Sequence, residues 1–237
     1  MKKLPQYPFE NQMTPLQQIL GFIYLPLHVV VFPLLFMLYS EVAPPEISQI
    51  TVNVIYYAVG LAFVMIVMFS FLRGGYDVLI DRLRHCALTL AVGMLAVYAL
   101  ELLAAMVLTA LGDTITNPAT QETAELAKKS FYTLKALAVF VGPIVEETLF
   151  RGVLFGALRT RSRAAAYVLS VLLFSVYHVW QIALTSQDWT ILLYAIQYIP
   201  VSIVLTWCYE RSGSIWTSIF FHMGYNAMSF ALLETLL

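Results

Sequence analysis

Seven apolar stretches dominate this chain, at approximately 18–40, 51–72, 86–111, 131–158, 164–184, 190–209 and 215–236. Each is about 20 residues or more, the length a helix needs to cross hydrocarbon. In lipid no water satisfies exposed backbone groups, so only helices and closed barrels span. No stretch alternates apolar and polar residues with a period of two, which leaves helices. Hydrophobic residues make up 60% of the chain and charged residues 11%, against roughly a quarter charged in a soluble domain. The sequence therefore predicts an all-α, polytopic transmembrane helical bundle of about seven helices, lying in a lipid bilayer.

The chain is punctuated where breaks are needed. Pro44-Pro45 follows the first stretch, Gly74-Gly75 the second and Asn117-Pro118 the third, and Gly213 precedes the seventh. The first stretch contains Pro26 and Pro33 and has no small-x-small cleavage site after it. It reads as an uncleaved first helix rather than a signal peptide. Lys2, Lys3, Arg73, Arg82, Arg84, Arg159, Arg161, Arg163 and Arg211 fall on one set of loops, and Lys128, Lys129 and Lys135 on the other. The richer set is expected in the cytoplasm, with the N-terminus inside and the C-terminus outside. Between Gln121 and Ser130 the sequence fits either a short surface helix or a solvated loop. The net charge of −1 offers nothing to a nucleic acid. Cys86 and Cys208 lack metal-type spacing and read as apolar filler.

Ionisable groups in hydrocarbon are costly, and those that occur usually face a bundle interior or a wet cavity. Glu146, Glu147 and Arg151 fall within six residues of the fourth stretch. Adjacent acids project about 100° apart on a helix, so these two cannot share a task. Glu147 and Arg151 stand at i, i+4 with the acid first, the favourable order for an ion pair. Glu146 is left unpaired on its own helix and free to act as a general base. Pro143 lacks a backbone donor and would free the carbonyl four residues earlier, at Val139. Gly152 and Gly156 would allow close helix approach.

Two downstream stretches carry histidines. Phe174 and His178 stand at i, i+4, so the phenylalanine can fix the imidazole rotamer; His222 and Asn226 present two donors on one helix face. Glu146 and His178 could activate a water, with His222 and Asn226 aimed at the oxyanion formed on a carbonyl. On straight helices, at about 1.5 Å per residue, His178 would lie nearer the outer face and His222 nearer the inner. Zinc held by Glu146, His178 and His222 is an alternative, although no His-Glu-x-x-His helix exists. A proton-coupled transporter using Glu101, Glu146 and the histidines lacks the expected paired broken helices and internal symmetry. His28 and Asn53 read as interhelical hydrogen bonds. Glu101 needs a partner, with Lys135 or a polar cavity as candidates. Trp180, Trp189, Trp207 and Trp216 read as interface anchors.

Three motifs, Glu146-Glu147-x-x-x-Arg151, Phe174-x-x-x-His178 and His222-x-x-x-Asn226, with Gly213-Ser214 ahead of the last, stand in the order of a known family. The chain resembles the CAAX prenyl protease and bacteriocin-processing family, also called the Abi family, of intramembrane endopeptidases. The likeness covers roughly residues 131–237, which implies a catalytic core in the last four helices. Residues 1–130, three helices and an outer loop, would form a supporting layer. The resemblance implies that Glu146 and His178 activate water and that His222 and Asn226 form an oxyanion hole. Glu147, Arg151 and Phe174 would support the site. It also implies a membrane-associated peptide or lipidated protein as substrate, and peptide maturation or bacteriocin self-immunity as roles. No cofactor is required on this reading. A non-proteolytic immunity or scaffold protein of the same fold is the remaining alternative. The short loops suggest a bacterial plasma membrane.

Overall fold

The computed structural model describes residues 9–42, 48–110 and 117–236. Pro44-Pro45, Lys2 and Lys3 lie outside them. The described residues form an all-α bundle. The helices are α1 (Pro15–Pro26), α2 (Phe32–Val42), α3 (Gln49–Val67), α4 (Phe69–Asp81), α5 (Leu83–Ala110), α6 (Pro118–Ala136), α7 (Gly142–Glu147), α8 (Gly156–Arg159), α9 (Arg163–Tyr177), α10 (Trp180–Thr185), α11 (Ile199–Ser212) and α12 (Ile215–Glu234). π turns join α1 to α2 (Leu27–Val31), α6 to α7 (Leu137–Val141) and α7 to α8 (Thr148–Phe155), and a 3₁₀ helix (Trp189–Tyr198) leads into α11.

Four of the described helices are long and apolar enough to cross a membrane: Pro15–Tyr39, Gln49–Val67, Leu83–Ala110 and Trp189–Ser212. The protein is an integral membrane protein. Of the helices that bear the motifs, α7 is short and flanked by π turns, α9 is 15 residues, and α12 runs unbroken for 20 residues with polar side chains along it.

Several boundaries depart from the hydropathy reading. Gly74-Gly75 does not end a helix; both glycines sit inside α4, and the breaks fall at Met68 and Arg82, whose backbones leave helical values. A side chain at Gly75 would meet Ile215 at 2.9 Å, so the glycine is where α4 presses onto the start of α12. The stretch 121–130 is helical, within α6, and Ser130 kinks it at φ −152°, ψ 52°. Asn117 caps that helix by accepting from the Ala119 amide at 2.9 Å. Gly213 closes α11 in the left-handed region at φ 73°, the conformation glycine adopts without strain. Cys86 and Cys208 are both buried free thiols.

Both halves of the chain share their core. Tyr24, Val64, Met68 and Phe71 pack with Val145, Leu149, Val153, Phe155 and Ile215. Two glycines set the close crossings. A side chain at Gly21 would overlap Val153, and one at Gly60 would strike Val145 at 2.9 Å. Gly152 meets Met13 and Phe71 side chains rather than another helix backbone. His28 is fully buried, and among the described residues neither ring nitrogen has a hydrogen-bond partner; its interhelical hydrogen bond is made by its backbone carbonyl, which accepts from the Tyr56 hydroxyl at 3.0 Å. The ring stacks between Tyr24 and Tyr56. Glu101 accepts from the Tyr225 hydroxyl, while Lys135 pairs with Glu234 at 3.1 Å. Lys135 is therefore not the partner of Glu101.

Candidate active site

Glu147 is the hub of a fully buried charge network. Its Oε1 accepts from the Arg151 guanidinium at 3.1 Å and from His222 Nδ1 at 2.9 Å. Its Oε2 accepts from the Ser218 hydroxyl. Arg151 also donates to the Ser202 carbonyl at 3.1 Å and hydroxyl at 2.9 Å. The guanidinium lies 4.1 Å from the Phe174 ring centroid, a cation–π contact that strengthens as water is excluded. Charges buried this deeply are tolerable only when paired and hydrogen-bonded. The ion pair is thus larger than its i, i+4 spacing announces: it fixes α7, α11 and α12 together, and it orients His222.

Phe174 relays that rigidity. Its ring centroid is 4.5 Å from that of His178 and 5.9 Å from that of His222. Tyr198 stacks on His178 at 4.5 Å with 25° between the planes. His178 Nδ1 is 2.8 Å from the Phe174 carbonyl. A carbonyl only accepts, so Nδ1 carries hydrogen and the neutral ring leaves Nε2 bare.

Glu146 is buried beside this network. Its Oε1 accepts from the Tyr57 hydroxyl at 3.0 Å, and its Oε2 lies 4.0 Å from His222 Nε2. The latter gap is longer than a direct hydrogen bond. Asn226 donates from Nδ2 to the Ala138 carbonyl at 2.7 Å. The carbonyl that Asn226 satisfies is that of Ala138, one residue before the Val139 carbonyl that α-helical register would free. The π turn shifts the register so that the Gly142 amide reaches Leu137, and Pro143 then stands opposite Ala138 with no hydrogen to give. Asn226 supplies it. The amide keeps a second N–H.

Glu146, His178, His222 and Asn226 all line one cavity of about 960 Å³. The depth mismatch expected from straight helices disappears for two reasons. The fifth stretch is broken: α9 ends at Tyr177, His178 caps it, and Val179 turns away at φ −130°, ψ −20°. The turn before α12 is itself buried, with Ser214 donating to the Gly75 carbonyl at 2.6 Å. That helix consequently begins inside the protein, and its eighth residue reaches the site. Among the described residues no three His, Cys, Asp or Glu side chains are arranged to hold a metal ion.

Sequence reasoning missed Tyr57, Ser218, Ser202 and Tyr198. Ser218 stands four residues before His222, on the same helix face, and was findable by spacing. Tyr57 had no such signal.

Residues 129–228 match the family model described as type II CAAX prenyl endopeptidase Rce1-like. Over these residues the chain is similar to that family. The matched family segment contains all three motifs. A curated relative, UPF0177 protein YbdI of Lactococcus lactis subsp. lactis (strain IL1403), is 33% identical over 92 residues, 39% of this chain and 44% of the relative. The match thus spans less than half the length of that relative. No solved structure matches.

Proposed function

We propose that the protein is an intramembrane endopeptidase that hydrolyses a peptide bond by direct attack of water, with no acyl-enzyme and no resident metal. The observation that carries this reading is the convergence of Glu146, His178 and His222 on one cavity, two of them held by buried partners. The match of residues 129–228 to a protease family's model supports it.

In this mechanism Glu146 takes a proton from water as the water oxygen bonds to the scissile carbonyl carbon. The bare Nε2 of His178 orients the same water. The carbonyl π electrons move onto oxygen, and that charge meets Nε2–H of His222 and the second N–H of Asn226. Collapse of the tetrahedral intermediate breaks the C–N bond. Glu146 returns its proton to the departing nitrogen, leaving a new carboxyl end and a new amino end. His222 works here with hydrogen on both ring nitrogens. Glu146, Glu147, Arg151 and His222 then sum to zero charge, the economical state for a cluster in hydrocarbon.

The substrate in this reading is a peptide held at the membrane by a lipid or an apolar segment, since the site is reached within the bundle. Peptide maturation and self-immunity are both consistent with such a substrate. The N-terminus is proposed to be cytoplasmic in a bacterial plasma membrane, from the arginine-rich loops.

The test is cleavage of a farnesylated, quenched-fluorescent peptide ending in a CAAX sequence by the purified protein in lipid. Cleavage is expected to vanish in Glu146→Gln and to survive strong chelators. Loss on chelation that zinc restores would overturn the metal-free mechanism.

A further inference from the structure

The two ends of the bundle differ in a way that says where substrate enters. At one end the chain gathers its arginines. Arg159 and Arg163 clamp Glu210 at 2.5 and 2.8 Å. His85 pairs with the Arg211 carbonyl at 3.0 Å, and Ser214 seals onto α4. Arg82 and Arg161 fall at helix breaks, and Arg73 and Arg84 stand within α4 and α5 beside Leu72 and His85, which meet Trp216 and Arg211. This end is closed by packing: Gln12 reaches the Gly213 carbonyl, and Phe9 packs edge-on against Phe155 and Tyr209.

The cavity lies at the opposite end. Its walls there include Gln49, Asn117, Glu122, Thr185 and Gln197. These rim residues bridge separate helices: Gln49 donates to Glu122 at 2.8 Å, and Asn117 donates to Gln197 at 2.8 Å. The rim is thus polar and made of the starts and ends of α3, α6 and the 3₁₀ helix, while Glu146 and the histidines form the floor.

Loops rich in Lys and Arg stay in the cytoplasm. Seven arginines mark the sealed end, against Lys128, Lys129 and Lys135 near the rim, and two of those lysines are paired with Glu125 and Glu234. We infer that the cavity opens on the non-cytoplasmic face, so that its substrate is a peptide already exported or inserted across the membrane. The inference rests on the endopeptidase reading for the word substrate, but not for the direction of the opening. It places the reaction after translocation: an export or insertion step must supply the peptide, and the products are released outside.

The experiment is accessibility in intact cells carrying the full chain. The native thiols are fully buried, so single introduced cysteines report cleanly. Gln49→Cys and Thr120→Cys, both exposed at the rim, are expected to react with a membrane-impermeant maleimide without permeabilisation. Arg161→Cys, exposed at the sealed end, is expected to react only after it. The reverse pattern would overturn the inference. As a second arm, the farnesylated CAAX peptide added outside intact cells is expected to be cut by the wild type, and not by Glu146→Gln. Cutting only in inverted vesicles would also overturn it. The labelling arm needs no activity, so its failure is separable from a failure of the endopeptidase reading, which would appear as equal cleavage by wild type and Glu146→Gln.

Discussion

The hydroxyl of Tyr57 on α3 donates to Oε1 of Glu146 on α7 at 3.0 Å, so the first half of the chain reaches into the site that the family segment builds. The contact is prepared by two glycines. Gly60, one turn beyond Tyr57, lets α3 press onto Val145, next to Glu146. Gly142, one turn before Glu146, leaves room for the Tyr57 ring, which a side chain there would meet at 3.4 Å. With Oε1 tied, the carboxylate cannot rotate freely, and Oε2 is turned toward His222.

Tyr57→Phe keeps the ring and removes only this bond. A hydrogen bond to a charged group contributes about 1.5–3 kcal/mol, so kcat on the CAAX peptide is expected to fall about tenfold or more, with KM within about twofold. Tyr56→Phe is the control. Tyr56 bonds the His28 carbonyl and Tyr177, both at 3.0 Å, and does not bond Glu146. It is expected to lower thermal stability and leave kcat nearly unchanged. Equal kcat in wild type and Tyr57→Phe would remove Tyr57 from the site.

Glu147→Ala strands Arg151 in a fully buried position. Breaking a buried pair in this way costs about 3–5 kcal/mol. Thermal unfolding in detergent is expected to show a large loss, and yield should drop. Ser218→Ala removes one donor to the same carboxylate and is expected to cost about 1 kcal/mol. A Glu147→Ala variant as stable as wild type would show that the network is not structural.

Asn226→Ala leaves the Ala138 carbonyl without its donor. The bond is only partly buried, so its loss is expected to cost about 1 kcal/mol, and the π turn beneath Pro143 should loosen with it. Stability and cleavage are expected to fall together, whereas a pure oxyanion role would spare stability. Calorimetry beside the peptide assay separates the two.

Gly60→Leu would drive a side chain into Val145 and His28. Overpacking of this kind costs about 1–3 kcal/mol, and the shift of α3 should pull Tyr57 from Glu146. Lower kcat together with lower thermal stability is the expected pair of results, checked by the same assay.

The motif residues were legible in the sequence because i, i+4 spacing is local, and the helices because hydropathy is local too. What was not legible depends on backbone register or on distant partners. The π turn at Leu137–Val141 sets the Ala138 carbonyl opposite Pro143, where Asn226 reaches it, a register that no residue pattern announces. The break at His178 brings the two imidazoles together, but an apolar run through 164–184 hides it. Tyr57 sits in an apolar helix where one hydroxyl barely alters hydropathy. Glu101 finds Tyr225 rather than Lys135 because α5 lies against α12, which is a matter of packing and not of charge. His28 shows the same limit, since its ring is stacked and its backbone carbonyl makes the hydrogen bond.

The most direct test of the account is mass spectrometry of peptides from cells with the wild-type chain and with Glu146→Gln, at matched membrane levels. The account predicts fragments with new ends in the wild type that are missing from Glu146→Gln, with the uncut parent accumulating in their place. Identical fragments from both would contradict it.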